Sequence, residues 1–225
     1  MKIGIIGAME EEIIILKDII KGSKETFGKT DIYSGKIFDH EVFLVKSGIG
    51  TAAAAISTSI LILKKDPDLI INTGSAGGIK EDLKVGDLVL ASSIAYHSAD
   101  VTAFGYKKGQ LPGCPETFNP DKKYNTIVKT SLGSSIKEGL ICSGDEFCGS
   151  KAQIERIKKD FPNIMAIEME IAAVAQGCYI FNKPFIMLRA ISDNANDDAN
   201  VDFKEFLDIA SKESSKAIIK ILEAL

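Results

Sequence analysis

The sequence predicts an α/β fold. Three observations point to it: apolar runs bounded by turn residues, helical periodicity in the segments between them, and glycine-rich turns where runs end. The first run, Lys2 to Ala8, reads as a strand. Glu10 to Lys21 follows as a helix whose buried stripe is Ile13, Leu16, Ile19 and Ile20. Glu41 to Lys46 is the next strand, Thr51 to Lys64 the next helix, and Asp68 to Asn72 a further strand. Asp87 to Tyr96, Gly139 to Ser143 and Ile164 to Ile167 are strand candidates, and Pro184 to Ile191 reads as the last, buried strand. An amphipathic helix from about Asp202 to Leu222 closes the chain. The exception to this regularity is Val101 to Pro120, whose glycines, prolines and aromatics suit a long ordered loop over a ligand or a subunit partner.

At 225 residues, 45% hydrophobic and 26% charged, the chain can fill one core and shows no compositional break. Residues 1–225 are therefore expected to form a single domain. A formal charge of -4 argues against nucleic-acid or anionic-membrane surfaces, which need clustered basic residues. Lysines are scattered, and Arg156 and Arg189 are the only arginines. Cys114, Cys142, Cys148 and Cys178 form no CxxC pair, and with His40 and His97 they assemble no familiar zinc spacing. The expectation is a cytoplasmic protein with reduced thiols and no metal. The apolar stretch of MKIGIIGAM is short and runs into Glu10, Glu11 and Glu12, against a signal peptide, and no segment reaches transmembrane length.

Chemistry concentrates in Ile167 to Asn194. Glu170 stands at the mouth of a helix, and Arg189, Ser192 and Asp193 arrive at the far end of the last strand. Two carboxylates and a guanidinium thus converge where α/β sheets bind ligands. A carboxylate directly past a buried strand is partly desolvated and keeps a proton near neutral pH, which suits a general acid; the alternative is a helix cap. Gly48, Gly50 and Ala53 satisfy a GxGxxA pattern but lie off the first strand, with Asn72 where a dinucleotide site needs an acid, so a tight turn competes with nicotinamide binding. The turn Asn72 to Gly78 can hold an anion or a sugar through its amides and the Ser75 hydroxyl, or simply reverse the chain. Acids in a first helical turn are favoured by the macrodipole, but Glu12 alone adjoins the buried stripe, making it the candidate base.

Together these segments resemble the 5'-methylthioadenosine/S-adenosylhomocysteine nucleosidases of the purine nucleoside phosphorylase superfamily. The resemblance runs through GIIGAMEEE, Ser47 to Gly50, INTGSAGG at Ile71 to Gly78, KVGDLV at Lys84 to Val89, DVTAFGY at Asp100 to Tyr106, GQLPGCP at Gly109 to Pro115, SGD at Ser143 to Asp145, EME at Glu168 to Glu170 and RAISD at Arg189 to Asp193. It implies a three-layer α/β/α domain with a mixed, partly barrel-like sheet, no cofactor, and a place in methionine salvage. It also implies roles. Asp193 protonates purine N7 and Ser192 orients it; Glu12 activates the attacking water beside Arg189 and Ser75. Glu170 grips the ribose hydroxyls over Met169, Phe147 stacks on the base, and the Cys148 backbone meets the adenine edge. Ile49, Val101, Phe104, Pro112 and Phe203 would line the 5'-alkylthio pocket, with the Val101–Pro115 loop reaching into the partner's pocket of a homodimer.

The physics is consistent with that assignment. Adenine leaves poorly as an anion, so N7 protonation lets it depart neutral as charge builds on the ribose. An Asp raised by about 3 pH units through burial costs about 4 kcal/mol, which an enclosed site can supply. Phosphorolysis demands cationic donors, whereas only one arginine lies near the site and Glu12 would repel a dianion. Hydrolysis is therefore expected, with a phosphorylase and a non-catalytic nucleoside binder or nicotinamide enzyme as alternatives. His97 is read as a local hydrogen-bonding residue, and Asn194 to Phe203 as polar enough for a lid.

Overall fold

A computed structural model of the protein describes residues 1–133, 136–195 and 199–225. Its elements run β1 (Lys2–Gly7), α1 (Glu10–Ile20), β2 (Ser23–Phe27), β3 (Thr30–Ile37), β4 (His40–Lys46), α2 (Thr51–Lys65), β5 (Leu69–Asn72) and β6 (Ser75–Gly78). They continue with β7 (Leu88–Tyr96), α3 (Lys122–Leu132), β8 (Lys137–Ser143), α4 (Lys151–Asp160), β9 (Ile164–Glu168), α5 (Ile171–Ile180), β10 (Phe185–Asp193) and α6 (Ala199–Ala224).

The strands form one mixed sheet in the order β2-β3-β4-β1-β5-β10-β6-β9-β8-β7, and β7 also pairs antiparallel with β10. That second pairing closes β10, β6, β9, β8 and β7 into a barrel-like ring, from which the other strands extend as an open arm. The strand β10 belongs to both parts: Phe185 to Met187 pair with β5, and Ala190 to Asp193 with β6. Every residue of β10 is buried. This is why the segment reads as a continuous apolar run rather than an alternating one.

Alternation along the arm assigns the helix layers. Ile3, Ile5, Leu69 and Ile71 share a core with Ile13 and Leu16 of α1 and Ile218 and Ile221 of α6. Ile6 and Ile70 point the other way, into a core with Leu61 of α2 and Cys178 of α5. The result is a three-layer α/β/α arrangement joined to the ring. Among the described residues no helix is long and apolar enough to cross a membrane.

Several expectations needed correction. The hairpin β2–β3 and the helices α3 and α4 were not read from the sequence. β2 is almost wholly exposed, and α4 buries only Ile154 and Ile157 among charged residues, so neither carries a strong apolar period. The glycine-rich stretch read as a turn contains a strand, β6, and β10 continues two residues past Ile191 to include Ser192 and Asp193. Residues 101–120 are mostly irregular as expected, with a 3-10 turn at Thr102–Phe104 and a bridge from Phe118 to Ile94. The suggested lid falls partly on Asn196 to Asp198, outside the described residues, and α6 begins at Ala199 rather than Asp202.

Candidate active site

The carboxyl ends of β1 and β10 and residues Ser75 to Gly77 of β6 meet the loops after β8 and β9 around a cavity of ≈ 270 Å³. Its walls include Glu12, Ile49, Ser75, Phe147, Cys148, Met169, Glu170, Ser192, Asp193 and Phe203, all singled out from the sequence. No lysine or arginine is among the described lining residues.

Glu12 sits in the first turn of α1, 3% exposed. Its Oε2 accepts the N–H groups of Ala8 at 2.8 Å and Met9 at 3.1 Å, so it caps its own helix. Its Oε1 faces β6 and accepts both the N–H and the hydroxyl of Ser75 at 2.9 Å. Helix capping and the contact with β6 thus fall on different oxygens of one carboxylate. Glu10 instead stays at the surface with Lys17 and Lys46, and Glu11 is exposed. Gly74 permits the approach, since a Cβ there would lie 2.8 Å from Glu12 Oε1.

At the opposite wall, Asp193 ends β10. Its Oδ1 accepts Ala195 N–H at 2.8 Å and its Oδ2 accepts the Ser192 hydroxyl at 2.9 Å. Burial pushes its carboxyl above the ordinary value, against the opposing pull of those two donors. A buried carboxyl that retains its proton can serve as a general acid.

Glu170 precedes α5, and its Oε1 accepts Gly50 N–H at 2.8 Å. Burial, with Glu168 beside it, pushes Glu170 up to about 8. The bond to Gly50 uses an amide of the turn that resembled a dinucleotide fingerprint, so that turn orients a carboxylate. Gly50 adopts φ 95, and a Cβ there would meet Asp145 Oδ1 at 3.0 Å. Asp145 in turn accepts Thr51 N–H at 2.7 Å and its hydroxyl, tying the loop after β8 to the start of α2.

Arg189 lies beneath the cavity rather than on its wall, with its side chain 2% exposed. Its Nη2 donates to Asn72 Oδ1 and Glu168 Oε2, each at 2.7 Å. Glu168 also accepts the N–H groups of Glu170 and Ile171 at 2.9 Å and the Ser143 hydroxyl. In the sequence Glu168 stands only as the first residue of the EME segment, with no functional signal of its own. The available signal was Arg189 itself at the end of an apolar run, since a desolvated guanidinium requires a carboxylate.

Phe147 and Phe203 stack edge to face at one end of the cavity, centroids 5.9 Å apart and planes at 71°. Val101, Phe104 and Pro112 do not line the cavity of their own chain; Phe104 is 81% exposed.

The sequence matches the Phosphorylase superfamily over residues 2–223. It is 49% identical to a 5'-methylthioadenosine/S-adenosylhomocysteine nucleosidase from Haemophilus influenzae (strain PittEE), covering 100% of both chains. The chain belongs to this nucleosidase family. Solved nucleosidase structures agree: that from Neisseria meningitidis, in complex with methylthio-immucillin-A, is 40% identical with TM-score 0.97 over 100% of this chain and 99% of that one. Another neighbour, the futalosine hydrolase of Helicobacter pylori strain 26695, is 32% identical with TM-score 0.95 over 100% of this chain and 98% of that one.

Proposed function

We propose that the chain hydrolyses the N-glycosidic bond of 5'-methylthioadenosine and S-adenosylhomocysteine, and of 5'-deoxyadenosine, releasing adenine and the 5-substituted ribose. The observation that carries the reading is a cavity with Glu12 and Asp193 on its walls and no cationic side chain among its described lining. Such a site can activate water and protonate a leaving base, but has nothing to hold a phosphate dianion.

In this reading Asp193 donates its proton to purine N7 while accepting from the 6-amino group, and Ser192 holds it in place. The N-glycosidic bond breaks as positive charge builds on the ribose. Glu12 takes a proton from water attacking the anomeric carbon, with Ser75 beside that water. Glu170 binds the ribose hydroxyls above Met169, while Phe147 and the Cys148 backbone hold adenine. Arg189 acts from beneath by fixing Glu168, whose two amide contacts set the start of α5 and therefore Glu170. No cofactor takes part.

The 5'-substituent would extend along Ile49 and Phe203. Exposed Ile49, Ile56, Leu63, Phe104 and Ile180 support a homodimer in which Val101, Phe104 and Pro112 complete the partner's pocket. Residues 1–225 act as one domain in the cytoplasm, in methionine salvage.

The test is adenine release from 5'-methylthioadenosine, S-adenosylhomocysteine, 5'-deoxyadenosine and aminodeoxyfutalosine in phosphate-free buffer. The first two should turn over at a rate unchanged by added phosphate. Phosphate-dependent turnover with ribose 1-phosphate as product would replace the proposal by a phosphorylase, and turnover confined to aminodeoxyfutalosine would reassign the substrate.

A further inference from the structure

Three potential metal ligands from two segments meet at the end of the cavity that carries Phe147. His97 directly follows β7, while Glu146 and Cys148 flank Phe147 on the loop after β8. A ring nitrogen of His97, the Cys148 Sγ and a carboxylate oxygen of Glu146 lie within 4.8 Å of one another. The His97 side chain is 1% exposed, and its Nδ1 faces Glu146 Oε1 at 3.8 Å, beyond hydrogen-bond reach. Among the described residues its Nε2 has no hydrogen-bond partner. A buried imidazole left this poorly satisfied is unusual in a folded protein and calls for a further ligand.

We propose that His97, Glu146 and Cys148 form a zinc-binding site whose occupancy closes the adjacent end of the pocket. Imidazole, carboxylate and thiolate are the three ligand types of protein zinc sites, and three protein ligands leave the fourth position to water. Magnesium and calcium, which prefer oxygen donors, fit the set poorly. A tetrahedral zinc with bonds of about 2.0–2.3 Å holds its ligand atoms ~3.5 Å apart. To reach that spacing from within 4.8 Å, the Glu146 and Cys148 side chains must rotate on binding. Glu146 now contacts Arg156 and Gln153, so one oxygen must be shared or exchanged. On binding, the Cys148 S–H bond breaks, its proton leaves to solvent and a zinc–sulfur bond forms, with no change of oxidation state. Because Glu146 and Cys148 both line the cavity, a metal held between them competes with the base for space. The site is inhibitory and takes no part in the reaction. Its ligands were invisible as a zinc motif because His97 is remote in sequence from the other two.

Cobalt(II) titrated into the full-length protein reads the site directly, through the thiolate-to-cobalt charge-transfer absorption. The expected band saturates at about one cobalt per chain, is displaced by zinc, and disappears in Cys148→Ser. His97→Gln should weaken cobalt binding at least ~10-fold, while Cys114→Ser keeps the band. No band near one equivalent, or a band that survives Cys148→Ser, overturns the site. The inhibition rests on the nucleosidase reading and is measured separately: zinc should raise the apparent KM for 5'-methylthioadenosine, and His97→Gln should abolish that zinc dependence. A saturating band without any change in KM overturns the inhibition. If no nucleoside is cleaved even without zinc, the functional reading fails while the cobalt band still decides the site.

Discussion

Ser75 contacts Glu12 twice, its N–H and its hydroxyl both reaching Oε1 at 2.9 Å across 63 residues of sequence. With the amides of Ala8 and Met9 on Oε2, four donors meet a carboxylate that offers roughly four acceptor sites. Of these donors, only the Ser75 hydroxyl can turn away without moving the backbone. Rotation of that hydroxyl frees one acceptor site on Oε1, which in the proposed mechanism is where the attacking water would hand over its proton.

Displacing Glu12 without removing it should test this arrangement. In Gly74→Ala the new Cβ would stand 2.8 Å from Glu12 Oε1 and 3.0 Å from its carboxyl carbon. We expect kcat to fall about 10²-fold, since small misplacements of a reacting group cost that much, with adenine binding changed little. Steady-state turnover and calorimetric adenine binding separate the two.

Asp193→Asn removes the proposed proton donor while preserving shape. Turnover should drop about 10²–10⁴-fold with inhibitor binding retained. Since burial raises the Asp193 carboxyl, the donating form is present below its folded pKa and lost as pH rises through it. The wild-type kcat profile should thus fall on its alkaline side, and any residual rate of the variant should lack that limb.

Arg189→Met should destabilise the protein by about 3–5 kcal/mol in urea unfolding, because it strands the Glu168 charge at a site where both side chains are almost fully buried. Adding Glu168→Gln should restore part of the loss; a double variant no more stable than the single one would contradict the pairing.

Glu170 gives the unliganded protein a distinct pH response. Its folded pKa of about 8 lies above the unfolded value, so between about pH 4.5 and 8 the folded state holds more protons and stability falls as pH rises. One such group contributes a slope of at most about 1.4 kcal/mol per pH unit. Glu170→Gln should flatten the slope, measured by unfolding at pH 5, 6, 7 and 8.

Legibility in the sequence followed the physical signal. Strands β1, β4, β5 and β10 announce themselves because burial on both faces demands uninterrupted apolar residues. β2 and α4 carry mostly solvent-facing side chains, and nothing local distinguishes such segments from loops. Ser75 was visible as a polar residue in a glycine-rich stretch, but its strand was not, because SAGG has scarcely any side chain to pack. The geometry around Arg189 was hidden for a different reason: its partners Asn72 and Glu168 lie 117 and 21 residues away, and only the sheet order brings them together.

The shared strand β10 places Asp193 on a seam. The arm anchors one half of that strand and the ring holds the other, so neither piece could carry a working site if separated. A chain opened between Leu188 and Arg189, with residue 225 joined to residue 1, would have to rebuild both sets of pairings before Asp193 returned to the cavity.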